Sequence, residues 1–208
     1  MGPATFARIT GATYLLYFLT AIGGALLAPG VSGPGSLAPD AFSGSTYQLG
    51  VALGLVSTCL YLAVVGLLYR LFLPVNGTVA LLALVFGVMG CAVTAFGTVL
   101  QHAPLVVASA DPELALVFLK VNAQALHVAL VFFGTFQLFL GYLIYRSNFL
   151  PRLIGVLIAV AGVGWLTALG PGLPAPLAIV VALLGAVAEG ALMLWLLVFG
   201  VRQTSSVT

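Results

Sequence analysis

Pro176-Leu-Ala-Ile-Val-Val-Ala-Leu-Leu-Gly-Ala-Val-Ala-Glu189-Gly-Ala-Leu-Met-Leu-Trp-Leu-Leu-Val-Phe-Gly-Val201 carries one ionisable side chain, Glu189, in an otherwise apolar run. A helix rises about 1.5 Å per residue, so roughly 20 apolar residues cross a hydrocarbon core about 30 Å thick. This run is long enough to span. Five comparable stretches precede it: about Ile9–Ala28, Tyr47–Leu71, Thr78–Gln101, Leu119–Tyr145 and Leu153–Leu169. None shows the alternating ten-residue pattern of a membrane β-barrel. Together they predict an all-α protein: a polytopic transmembrane bundle of six helices with short loops, a single transmembrane domain over residues 1–208.

Composition agrees. Hydrophobic residues make up 62% of the chain and charged residues 5%, against roughly 25% charged in an ordinary soluble domain. Ten acids and bases cannot cover a particle of this size with charge, so its solvent is mostly lipid. A net charge of +2 excludes a nucleic-acid-binding surface. Cys59 and Cys91 lie deep in apolar runs and read as small core residues, not as a disulfide, a metal site or a redox pair.

The bases orient the spans. Arg8, Arg70, Arg146, Arg152 and Arg202 fall on one side if both termini are cytoplasmic, while Asp40, Asp111 and Glu113 fall on the other; only Lys120 departs from the positive-inside pattern. The expectation is therefore N-in, C-in. The first span is too long for the apolar region of a signal peptide and reads as an anchor. The sequon Asn76-Gly77-Thr78 falls in a loop predicted to be cytoplasmic and should carry no glycan. At the helix starts, Ser45 and Gln48 have capping-box spacing. Asp111-Pro112-Glu113 reads as an N-cap, a first-turn proline and a dipole-favourable acid.

Two exits from the bundle echo one another. Gly66-Leu-Leu-Tyr69-Arg70-Leu-Phe72-Leu-Pro74 closes the second span, and Gly141-Tyr-Leu-Ile-Tyr145-Arg146-Ser-Asn-Phe149-Leu-Pro151 closes the fourth. They are compatible with parallel repeats of the 2–3 and 4–5 hairpins, or with Tyr and Arg anchors followed by a helix-opening proline. The second copy extends through Arg152-Leu-Ile-Gly155 and is preceded by Val131-Phe-Phe-Gly134. With Ala7-Arg-Ile-Thr-Gly-Ala-Thr-Tyr-Leu-Leu16 and Glu189-Gly-Ala-Leu-Met-Leu-Trp-Leu-Leu197, it resembles a family of bacterial six-span integral membrane proteins catalogued as a domain of unknown function. The resemblance implies the same topology and a bacterial plasma membrane location. It implies no reaction and no catalytic residue.

Ionisable groups at bilayer depth cost roughly 2.5–3.5 kcal/mol at a helix centre, so each is a functional candidate. Glu189 lies near the midplane, with Ala182, Gly185 and Ala186 on its face to admit a neighbouring helix. Lys120, Gln124 and His127 follow i, i+4, i+7 spacing on span 4, a face continued by Val131, Gly134 and Gly141; Lys120 can snorkel to the rim. Other spans carry small or hydroxylated stripes: Thr10, Thr13, Tyr17, Thr20 and Gly24; Gly50, Gly54, Ser57 and Tyr61; Gly87, Gly90, Thr94, Gly97 and Gln101. Pure helix packing accounts for many such positions. Packing needs no carboxylate, so Glu189 stands apart. Tyr17 and Tyr61 match it in depth, while His127 lies farther out by roughly 9 Å of helix rise. His102, placed just beyond span 3, is badly set for bis-histidine haem. No metal-ligand cluster, nucleophile elbow or phosphate-binding loop occurs, so no cofactor or metal is expected.

The leading functional expectation is binding of a lipidic or amphipathic small molecule in an outward-facing intramembrane pocket. Glu189, Tyr17 and Tyr61 would form its floor, and Gln124 and His127 would lie nearer the mouth. Three other readings compete. A proton-coupled transporter or exporter would titrate Glu189, and six spans leave room for alternating access only in a homo-oligomer. An intramembrane enzyme would need His127 and Glu189 within reach of each other. A scaffold or accessory subunit would use Gly50-xxx-Gly54 and the exposed helix faces. Beyond the bilayer and such a ligand, the residues name no partner.

Overall fold

The structure, a computed structural model, describes residues 2–28, 44–170 and 174–201. Asp40 and Arg202, two of the orienting charges, lie outside them. The described residues form α1 (Pro3–Leu27), α2 (Ser45–Phe72), α3 (Gly77–Val107), α4 (Pro112–Arg146), α5 (Arg152–Leu166) with a 3-10 turn at Thr167–Leu169, and α6 (Ala175–Val198). Six are apolar and long enough to cross a membrane, the fifth counted with its turn. Each helix packs on its sequence neighbours, and α6 returns to α1. The bundle is thus a closed up-and-down ring.

Local chemistry sets several helix ends. The Asp111 carboxylate accepts from the Leu114 N–H at 3.0 Å, with Pro112 and Glu113 in the first turn of α4. Asn76 caps α3 by accepting from the Val79 N–H at 3.1 Å, so the sequon asparagine has a local structural task. The Ser45–Gln48 capping box does not form. Ser45 is already inside α2, the N-cap is Gly44, and no side chain caps that end. The third helix also outruns its expected end, continuing through Pro104 to Val107, so His102 lies within it. A proline removes one backbone donor but leaves the next turn intact; the Ala108 N–H still donates to the Pro104 carbonyl at 3.0 Å.

Arg70 and Arg146 sit in the last turns of α2 and α4, and Arg152 opens α5. With Arg8 early in α1, they define an arginine end of the ring. Asp111 and Glu113 mark the opposite, acid end. At the arginine end the guanidinium of Arg70 lies 5.4 Å from the centre of the Phe6 ring, and that of Arg152 5.6 Å from Tyr145.

Lipid tails are as apolar as leucine, so helices here associate through close packing more than through the hydrophobic effect. The contact of α4 with α5 demonstrates it. A β-carbon built on Gly141 would stand 2.6 Å from the Gly155 carbonyl oxygen, and one on Gly155 2.7 Å from that of Gly141. Seven residues away on each helix, Gly134 and Gly162 make the same reciprocal approach at 2.8 Å. Only glycine permits such backbone contact. Leu16, Leu19, Ile22 and Leu26, by contrast, form an exposed stripe on α1, the side a lipid tail would meet.

The main core fills the arginine half of the ring, with Leu68, Phe72, Phe136, Leu140, Leu143, Ile144, Ile158, Leu192 and Leu196 fully buried. A small second core near the acid end joins Ala28, Tyr47, Val51, Ala108, Ala115 and Leu119. Cys91 is buried but Cys59 is exposed, which corrects its expected place in the core. Both are free thiols.

Candidate functional site

Helix α1 buries Ala7, Thr10, Gly11, Tyr14 and Gly24; between Ala7 and Tyr14 the three- and four-residue spacings keep one inward face, and it carries Tyr14. Its hydroxyl donates to Glu189 Oε2 at 2.6 Å. From α4, the Gln137 amide donates to Glu189 Oε1. The Tyr61 hydroxyl, from α2, faces the same carboxyl. Three helices therefore converge on the acid of a fourth. Aromatic rings surround it: Tyr17 and Tyr61 have centroids 4.5 Å apart, and Phe133 meets Tyr61 edge-on at 5.3 Å.

Glu189, Gln137, Tyr17, Tyr61, Phe133 and Trp165 line a cavity of about 300 Å³. A second chamber of about 470 Å³ lies toward the acid end, walled by α1, α2, α3 and α4. Ala21, Ser57, Thr58, Thr94 and Leu126 border both, so the two chambers adjoin. Glu189 and its rings form the floor, and Gly24, Gly54, Gly97 and Asn122 are in the upper wall. Close approaches of α6 to α1 occur at Leu197 on Gly11 and Glu189 on Tyr14, and Gly200, just past the end of α6, meets Ala4. Beyond Glu189, Pro176 to Val180 of α6 are exposed. The ring is tight below the acid and loose above it.

The hydroxyls on the wall bond within their own helices. Ser57 and Thr58 donate to the Gly54 carbonyl at 2.8 and 3.0 Å, Thr94 to Gly90 at 2.9 Å and Thr98 to Thr94 at 3.1 Å. This removes their donor cost in lipid and leaves oxygen lone pairs toward the space. The Gln137 side-chain oxygen is buried with no hydrogen-bond partner among the described residues.

Residues 9–200 match the family described as Domain of unknown function (DUF4386). The chain belongs to that family. No curated protein and no solved structure matches it. The family description brings no chemistry to this DUF4386 chain, so its site rests on the geometry above.

Of the residues singled out in the DUF4386 sequence, Glu189, Tyr17 and Tyr61 come together on one cavity. Gln124 and His127 do not. Both are exposed, and His127 Nδ1 is engaged with the Ala123 carbonyl of its own helix at 2.8 Å. The reason lies in helix length. Gly134 and Gly141 of that face are covered by α5, but α5 is only 15 residues long, and the face beyond it, with Gln124, His127 and Lys120, is uncovered. Asn122 and Leu126 turn to the cavity in their place. An acid–base pair of His127 with Glu189 is thus not assembled. On α6, Gly185 packs on the Trp165 ring, while Ala182 and Ala186 are exposed. The Gly50-xxx-Gly54 motif is already used inside the molecule, with Gly50 on Ala28 and Gly24 on Gly54.

Tyr14 and Gln137 are the functional neighbours that residue patterns passed over. Gln137 carried a usable signal, an amide in mid-span between aromatic and aliphatic residues. Tyr14 sits one position from Thr13, which the hydroxyl stripe favoured.

Proposed function

We propose that this multi-pass membrane protein binds a lipidic or amphipathic small molecule within the bilayer, with Glu189, Tyr17 and Tyr61 at its seat. One observation carries the reading: a two-chambered, largely apolar space ending on a single carboxyl group held by Tyr14 and Gln137. Apolar walls with a few convergent polar groups are the usual build of a small-molecule site. With both termini cytoplasmic, the upper chamber lies in the outer leaflet, and the looseness between α1 and α6 supplies a side entrance. An amphiphile would lower its polar end to Glu189 and keep its tail level with the lipid.

Native mass spectrometry of the protein released from nanodiscs tests this. The unaltered chain should retain a small molecule. Thr94→Trp, which fills the junction of the chambers without touching Glu189, should abolish the adduct. Equal retention by the two proteins would remove the basis for the proposal.

A further inference from the structure

Resting on that ligand-binding reading, we infer that the ligand is a lipophilic amine, its protonated nitrogen beside Glu189 and its tail in the upper chamber. Three features of the space converge on this chemistry.

The first is charge. Among the described residues, no Lys, Arg or His lines either chamber. Tyr14 and Gln137 solvate the Glu189 carboxylate as neutral donors, but neither balances its charge. A carboxylate has about four lone-pair positions; Tyr14, Gln137 and the facing Tyr61 hydroxyl take up to three and leave at least one for a guest. Inside a membrane, an acid without a base is a natural counter-ion for a cationic ligand.

The second is the direction of the hydrogen bonds. The wall hydroxyls of Ser57, Thr58, Thr94 and Thr98 direct their hydrogens to helix carbonyls, and therefore offer acceptors inward. The Gln137 oxygen is buried and has no donor among the described residues, although its residue lines the lower chamber. A buried acceptor without a partner is costly. The space is thus rich in acceptors, and the guest it suits brings donors. An ammonium group has up to three N–H donors and no acceptor; a carboxylate guest would bring the opposite. A quaternary ammonium would bring charge but no N–H.

The third is the aromatic wall. Tyr17, Tyr61, Phe133 and Trp165 border the lower chamber with the acid. Electron-rich rings attract cations, most strongly when water is excluded.

The test uses the full chain in lipid nanodiscs, with Trp195→Phe leaving Trp165 as the fluorescent reporter. Trp195 packs against Phe199 in a tilted pair, 4.6 Å between centroids, away from the chambers. Octylamine, octyltrimethylammonium, octanol and octanoate are titrated at neutral pH, reading Trp165 fluorescence and the melting temperature. Octylamine should bind about tenfold tighter than the other three, a loss of one charged hydrogen bond being of that order. Glu189→Gln should remove the preference. If that variant does not fold, the ligand series on the unaltered site still decides. Equal binding of octanol or octanoate overturns the amine assignment while leaving the pocket in place; equal binding of octyltrimethylammonium overturns the donor argument. If no probe binds, the amine assignment fails, and only the Thr94→Trp mass spectrum decides whether the pocket reading fails with it.

Discussion

The arginine half and the acid half of the ring are made by the same six helices, yet one is filled and the other is hollow. In the first, large side chains meet at the axis, and glycines occur where two backbones touch: Gly11 on Leu197, Gly141 on Gly155. In the second, α1 and α2 still touch at Gly24 on Gly54 and Gly50 on Ala28, but across the ring Gly54 and Ala21 border the same space as Gly97 and Thr94, and that space stays open. A glycine closes a gap when its partner is a helix that can advance, and widens it when neighbouring contacts hold the helices apart. Glu189 lies at the boundary of these two regimes.

The sharpest way to break this comparison is to place a side chain on a closing glycine. Gly141→Leu should destabilise the protein by about 3 kcal/mol, because the α5 backbone it meets cannot yield; a thermal melt in nanodiscs measures it, and an unchanged melt would end the backbone-contact account. At the boundary, Tyr14→Phe removes one bond to the carboxylate and should cost about 1.5 kcal/mol, less than in water-soluble proteins because a partly unfolded chain in lipid finds other partners. In the hollow half the sign reverses. A methyl group on Gly54 meets no atom of the described residues within 4 Å, so Gly54→Ala should stabilise by about 0.8 kcal/mol through helix propensity. The smallest effect belongs to the uncovered face: Gln124→Ala and His127→Ala should each shift stability by less than about 0.5 kcal/mol and leave octylamine binding unchanged. A clear loss of binding in His127→Ala would move the mouth of the cavity back to that face.

The architecture was legible because lipid imposes a crude and strong constraint, visible in long runs such as Tyr47–Leu71. Glu189 was legible for the same reason, as a charge with no topological task. Its depth, judged by rise per residue, led to Tyr17 and Tyr61. What periodicity could not supply was rotation above a short neighbour. The stripe containing His127 has the correct spacing for an inward face, and lower down it is one, at Gly134 and Gly141. Whether an upper turn is covered depends on where α5 ends, and no feature of α4 itself encodes that. Tyr14 was hidden by a similar ambiguity, since one step along α1 exchanges it for Thr13. The capping box failed because spacing alone does not tell whether Ser45 stands before or within the first turn.

The brevity of α5 has a consequence for how α4 sits in the membrane. With its three-residue turn, α5 rises about 28 Å, close to a hydrocarbon thickness near 30 Å, whereas its neighbour α4 has 35 residues, about 52 Å of helix. Two adjoining helices of such unequal length cannot both match one flat slab. Tilt takes up part of the excess on α4, and the rest carries its Asp111 end past the hydrocarbon, beyond the reach of α5.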